Sequence, residues 1–243
     1  DDYKRWLAAD LEDPALTAEL ESIAGKEEEI KDRFAVSLKF GTAGLRGVLG
    51  AGTNRMNKYI VAQATQGYAN YMLKVQAQNG FENVQNGQIA VVVGHDCRNN
   101  GRLFAETVAN IFSANGIKVY LFESLRPTPE CSFAIRHLKC QGGVNVTASH
   151  NPKEYNGYKA YWEDGGQLVN PHDKNVINEV EKITDISMVN FKANENLIEY
   201  LDEKFDSIYI NKILGLSLSP NAIKKHSNLS FVYTPIHGTG GQI

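Results

Sequence analysis

The sequence predicts an α/β protein: a mixed, mainly parallel sheet covered by helices, followed by the start of a second, similar α/β domain. Two observations carry this expectation. Short apolar runs such as Ile89-Ala90-Val91-Val92-Val93 alternate with stretches of helical period through short joins, and that alternation builds parallel sheets with helices on their faces. The chain has 243 residues, 42% hydrophobic and 22% charged, which is enough apolar material for a sizeable core and argues against disorder.

Residues 3–34 are rich in Glu, Lys, Ala and Leu, with Leu16, Leu20, Ile23 and Ile30 at near-helical spacing, so one or two helices lead into the fold. From Met56 to about Gln78, the residues Tyr59, Ile60, Ala64, Gly67, Tyr68, Tyr71 and Met72 form a stripe of period 3.6, the pattern of a helix with one buried face. Ile89 to Val93 is an unbroken apolar run with polar boundaries, as in a strand covered on both faces. Leu103 to Ala114 reads as a helix stopped by Gly116, and Ile117 to Phe122 as the next strand. Thr128-Pro129 places an N-cap residue before a proline at the first helical position, predicting a helix from Pro129 to about Lys139 with Thr128 as its cap.

Gly143 to Thr147 is the third strand candidate; Tyr158 to Trp162 reads as a further strand closed by the Asp164-Gly165-Gly166 turn, and Val176 to Ile183 as a short helix. Residues 184–200 are more polar and less periodic. Beyond them Phe205 to Leu214 reads as a new helix and Leu229 to Thr234 as a new strand entering a glycine-rich turn. The expected organisation is a helical lead-in over 1–37, one α/β/α domain over 38–190, and a linker with the truncated start of a second domain over 191–243. One strand and one turn cannot bury a core of their own.

Composition excludes more than it assigns. A formal net charge of −3 gives no broad attraction for nucleic acid or an anionic membrane, so any phosphate site must be local. Cys97, Cys131 and Cys140 form no CxxC pair and fit reduced thiols in a cytoplasmic protein. No apolar run approaches the length of about 18 residues that spans a bilayer, and the opening Asp1-Asp2-Tyr3-Lys4-Arg5-Trp6 lacks the apolar stretch of a signal peptide.

Three stretches could carry chemistry. Thr147-Ala148-Ser149-His150-Asn151-Pro152 follows the third strand, where a turn enforced by Asn-Pro holds the serine hydroxyl at the sheet edge; the plain alternative is that Ser149 caps or tightens a turn. His150 adjoins Ser149 and no Gly-x-Ser-x-Gly elbow surrounds it, which argues against a hydrolase triad. In Phe40-Gly41-Thr42-Ala43-Gly44-Leu45-Arg46-Gly47 the glycines let the backbone approach an anion, and Arg46 offers a planar fork of donors. Gly94-His95-Asp96-Cys97-Arg98 follows the first strand on the same expected edge; Arg98 there is either an anion partner or one half of a structural pair with Asp96, which could also cap the next helix. Gly238-Thr239-Gly240-Gly241 lacks the Gly-Lys-Ser/Thr ending of a nucleotide loop, and no Gly-x-Gly-x-x-Gly follows the first strand.

Taken together these stretches resemble the α-D-phosphohexomutases, the phosphoglucomutase/phosphomannomutase family. Thr147 to Pro152 is similar to the family's phosphoserine loop, Asn156-Gly157-Tyr158-Lys159 to the segment after it, Phe40 to Gly47 to its early Gly-Thr-x-Gly-x-Arg-Gly loop, and Gly94 to Arg98 to its Gly-x-Asp-x-Arg loop. The form Gly-Thr-Ala-Gly-Leu-Arg-Gly with Gly52 to Asn57 behind it resembles the phosphoglucomutase-2/phosphopentomutase-type branch. The resemblance implies a first domain of the phosphoglucomutase type and the beginning of a second out of four. It also implies an isomerase in carbohydrate metabolism, an intramolecular phosphotransferase interconverting hexose 1-phosphate and hexose 6-phosphate, with a phosphopentomutase, a sugar-1,6-bisphosphate synthase or a non-catalytic sugar-phosphate binder as alternatives.

Carried over to this sequence, the resemblance makes Ser149 the phosphoryl donor and acceptor and Lys159 and Arg46 the candidates for acid/base work and charge stabilisation. Thr147, Ala148, His150, Asn151 and Pro152 shape the loop, and Asp96 and Arg98 support it. It further implies Mg²⁺ bound in part by the phosphate on Ser149, a hexose phosphate substrate, and glucose 1,6-bisphosphate as activator. The family's Asp-x-Asp-x-Asp-Arg metal loop and Gly-Glu-x-Ser-Gly sugar loop do not occur in these 243 residues, so the chain alone is expected to lack mutase activity.

Overall fold

A computed structural model describes residues 2–41 and 44–241. Three short helices open the chain: α1 (Asp2–Ala8), α2 (Pro14–Ser22) and α3 (Glu27–Phe34). This corrects the expected one or two. Asp13 ends one turn and starts the next helix, its carboxylate accepting from the Ala15 and Leu16 amides, with Pro14 at the first helical position. Tyr3, Leu16, Leu20 and Ile23 close with Ala51 into a small core of their own.

The main element is a six-stranded sheet in the order β1-β5-β4-β2-β3-β6, formed by β1 (Gly44–Val48), β2 (Ala90–His95), β3 (Lys118–Phe122), β4 (Gly142–Val146), β5 (Tyr155–Trp162) and β6 (Ile198–Leu201). The pairs β4-β2, β2-β3 and β3-β6 are parallel, and β5 runs antiparallel between β4 and β1. The expected mixed, mainly parallel sheet is what forms. In β2, Val91 and Val93 face one core and Val92 the other, which is why the run needed no polar alternation.

On one face lie α4 (Lys58–Ala77), α5 (Gly101–Ala114) and α7 (His172–Glu181); on the other lie α6 (Thr128–His137) and α8 (Glu203–Leu214). Asn57 caps α4, accepting from the Tyr59 and Ile60 amides at 3.1 Å each. At Gly67 the helices α4 and α7 come so close that a Cβ would stand 2.5 Å from Val180. A last short helix, α9, spans Pro220–Lys225.

Two further expectations are corrected. The residue preceding α6 is Pro127 and makes no side-chain cap; the Thr128 hydroxyl accepts instead from the Asn145 side chain at 2.8 Å, because a buried amide on β4 needs a partner more than an exposed helix end does. Past residue 190, β6 extends the sheet beside β3, and Phe205 of α8 sits in the core with Phe122. Finally, Leu229 to Thr234 forms no strand; Leu229, Phe231 and Val232 are exposed, and apolar residues with no neighbouring strand have no ladder to join.

Candidate active site

Parallel pairing puts the loops after β2 and β4 on one edge of the sheet, with His95 level with Val146. The residues singled out by sequence gather there. Ser149 is exposed and adopts φ +59°, a left-handed conformation that non-glycine residues seldom take outside functional or tightly constrained turns. Thr147 holds it from within the chain: its hydroxyl accepts from the Ser149 amide at 2.9 Å and donates to the Asp96 carboxylate at 2.6 Å. Asn151 closes the turn, its amide donating to the Ala148 carbonyl at 3.1 Å. Ala148 is buried beneath, and His150 and Pro152 are exposed.

Arg98 spans the same loop. One terminal nitrogen donates to the carbonyls of Pro152 and Tyr155 at 2.9 and 3.1 Å, and the other to those of Ser149 and Asn151 at 2.7 Å each. Its Nε faces the Asp96 carboxylate at 3.3 Å, an ion pair off the line of a hydrogen bond. The alternatives left open for Asp96 are thereby decided. It accepts from the Arg98 amide at 3.1 Å and from Thr147, while the residue preceding α5 is Asn100.

Arg46 and Lys159 meet on the adjoining strands. Arg46 stands opposite Gly157 and Gly44 opposite Lys159, so the period of two sends Arg46 and Lys159 to one face while Leu45 and Tyr158 enter the core on the other. They line a shallow cavity of about 190 Å³ with Gly44, Thr147 and Gln167. Gly44 is required by space, because a Cβ there would fall 1.7 Å from the Tyr158 carbonyl oxygen. Partial burial lowers the Lys159 pKa from the usual lysine range, the nearby Arg46 charge lowers it further, and Asp96 opposes both. Such a lysine gives up its proton more readily than a free one. Within the Phe40 to Gly47 loop, Thr42 and Ala43 lie outside the described residues.

One participant was missed in the sequence, and another was named there only within a motif. Gln167 reaches the cavity because the turn at Asp164 to Gly166 folds the chain back so that Gln167 bridges to Tyr161; the turn signal was visible, its registration was not. Fully buried Asn156 donates to the Asn99 carbonyl at 2.9 Å, tying the two loops together. Among the described residues no three His, Cys, Asp or Glu side chains converge as a metal site, and Asp96 is committed to Thr147 and Arg98. These residues by themselves do not fit a Mg²⁺ ion.

Residues 37–187 match the family description phosphoglucomutase/phosphomannomutase, alpha/beta/alpha domain I. The chain belongs to this family. A human phosphopentomutase is 33% identical over 250 residues, covering 97% of this chain and 39% of that protein. A phosphoglucomutase of Staphylococcus haemolyticus is 37% identical over 211 residues, covering 85% of this chain and 36% of its own length. A phosphoglucomutase/phosphomannomutase family protein from Burkholderia thailandensis superposes with a TM-score of 0.55 at 23% identity, over 73% of this chain and 35% of that one, a likeness of fold. The chain thus spans less than two fifths of the relatives it matches. No helix among the described residues is long and apolar enough to cross a membrane.

Proposed function

We propose that the intact protein is an intramolecular phosphotransferase that moves a phosphoryl group between C1 and C6 of a hexose phosphate through Ser149. The observation that carries this reading is an exposed serine, clamped in a left-handed turn, beside a cavity lined by Arg46 and Lys159. In the first half-reaction the bond between Ser149 Oγ and phosphorus breaks as a sugar hydroxyl oxygen bonds to phosphorus. The proton lost by that hydroxyl ends on Oγ, and Lys159, with its lowered pKa, takes it from the hydroxyl and passes it to Oγ. Arg46 stabilises charge on the transferring oxygens. The bisphosphorylated sugar then turns round and returns its other phosphoryl group to Ser149.

The protein's Mg²⁺ requirement, inferred from the resemblance, would draw carboxylates from outside the described residues, and no step above is routed through the metal. Glucose 1,6-bisphosphate fits as activator because it would charge Ser149 with phosphate. Three free thiols suit the reducing cytoplasm, and neither nucleic acid nor membrane is needed as a partner. Residues after α8 are read as the opening of a second domain.

A pentose phosphate substrate is the second reading, favoured by the human phosphopentomutase at 33% identity. The test is a coupled assay of the intact protein with Mg²⁺ and a trace of sugar bisphosphate, on glucose 1-phosphate, mannose 1-phosphate and ribose 1-phosphate, with Ser149→Ala alongside. Activity that collapses in the variant supports the reading, and the relative rates choose the sugar. Equal activity in both proteins sinks the role of Ser149, and no turnover on any sugar phosphate turns the assignment to a binding protein.

A further inference from the structure

We infer that Arg98 is a positioning residue for phosphoryl transfer at Ser149, an inference that rests on the reading of Ser149 above. A guanidinium has five N–H donors in a fixed planar fork and no acceptor. In Arg98 four of them meet the carbonyls of Ser149, Asn151, Pro152 and Tyr155 at 2.7 to 3.1 Å, and the fifth faces Asp96. The side chain is only 9% exposed. The four terminal donors are engaged and the Nε–H is buried against Asp96, so none faces a substrate phosphate and Arg98 acts through the loop rather than on the sugar.

What it fixes is Ser149 itself. The Ser149 carbonyl is held by Arg98, and the Ser149 amide by the Thr147 hydroxyl, which leans on Asp96. Both backbone polar groups of the serine are therefore tied to one Asp96–Arg98 pair, whose members also share the ion pair at 3.3 Å. A non-glycine residue at φ +59° is strained and persists only where the surroundings over-determine it. Two anchored ends supply that, and they set the direction in which the hydroxyl leaves the backbone. Lysine keeps the charge but has three rotatable donors on one atom and cannot span four carbonyls.

The experiment uses the intact protein with Arg98→Lys, Arg98→Ala and Ser149→Ala. A reacting group misplaced by about 1 Å loses about 100-fold in rate, so Arg98→Lys should lose about that factor in kcat with KM little changed, the sign of an interaction expressed in the transition state. Amides of 149–155 should exchange faster in this variant while those of β2 and β4 do not. Added guanidinium should restore part of the kcat of Arg98→Ala and none of that of Arg98→Lys, whose ammonium fills the place. Wild-type kcat in Arg98→Lys, a loss confined to KM, or an Arg98→Ala variant that guanidinium leaves unmoved each overturns the inference. An active Ser149→Ala protein would instead overturn the reading of the serine, so the two failures are told apart.

Discussion

Replacing Glu130 by glutamine should make the protein more resistant to unfolding at alkaline pH and leave it nearly unchanged at acid pH. Glu130 is 0% exposed on α6, and neither carboxylate oxygen meets a donor. Beside it Asp206 of α8 is held by Arg126 through two bonds of 2.7 and 2.8 Å. Two carboxylates and one arginine in an apolar setting leave one negative charge too many. Burial first, then the Asp206 charge and a hydrogen bond with it, push the Glu130 pKa up to about 8, with Arg126 opposing. As an acid, Glu130 becomes a donor, and Asp206 is its acceptor.

The sign follows from linkage. The folded-state pKa is raised above the ordinary 4.5, so the unfolded chain releases this proton first and stability falls as pH rises from about 4.5 to about 8, after which it levels. A shift is worth about 1.4 kcal/mol per pH unit. From 4.5 to about 8 that is about 5 kcal/mol at full strength; rearrangement and water around the charged cluster screen part of it, and we expect a loss on the order of 2 kcal/mol. Glu130→Gln keeps a donor for Asp206 and cannot ionise. Urea denaturation followed by tryptophan fluorescence at pH 5, 6.5 and 8 should show variant and wild type nearly together at the lowest pH and the variant about 2 kcal/mol ahead at the highest. Parallel curves at all three would refute a neutral Glu130.

Lys159→Arg keeps the charge but cannot release a proton, so kcat should fall by about 10²–10⁴ with the limb due to lysine ionisation gone from the pH–rate profile; Arg46→Ala, by removing a charge that lowers the Lys159 pKa, should move that limb to higher pH. At Gly157 a Cβ would stand 2.4 Å from the Thr147 carbonyl oxygen and 2.9 Å from that of Leu45, all backbone, so Gly157→Ala should cost about 1–3 kcal/mol in urea denaturation and lower turnover as well.

The order of strands and helices was legible because the core strands are apolar on both faces and the helices carry one buried stripe. β6 was not. Its sequence Ile198-Glu199-Tyr200-Leu201 has two exposed residues in the middle, the look of a polar linker, and only pairing with β3 makes it a strand. Edge strands owe their structure to a neighbour far away in sequence, which local pattern cannot supply. Leu229 to Thr234 is the converse, a run of strand-forming residues with no neighbour to pair with.

The same distinction explains what was legible in the site. Ser149, Arg46 and Lys159 stand in local motifs, and sheet register alone brings the latter two to one cavity. The residues alone left the roles of Asp96 and Arg98 open, and only the resemblance made them supports of the loop, because each depends on a contact about fifty residues away: Asp96 with Thr147 and Arg98 with the carbonyls of 149–155. An arginine near a presumed anion site is read first as a ligand. Here the number of its donors already engaged by the backbone decides against that, and it follows that the cationic charge facing the cavity comes from Arg46 and Lys159. A neutral substitution of either should therefore weaken sugar-phosphate binding directly, whereas loss of Arg98 should act on the geometry of transfer.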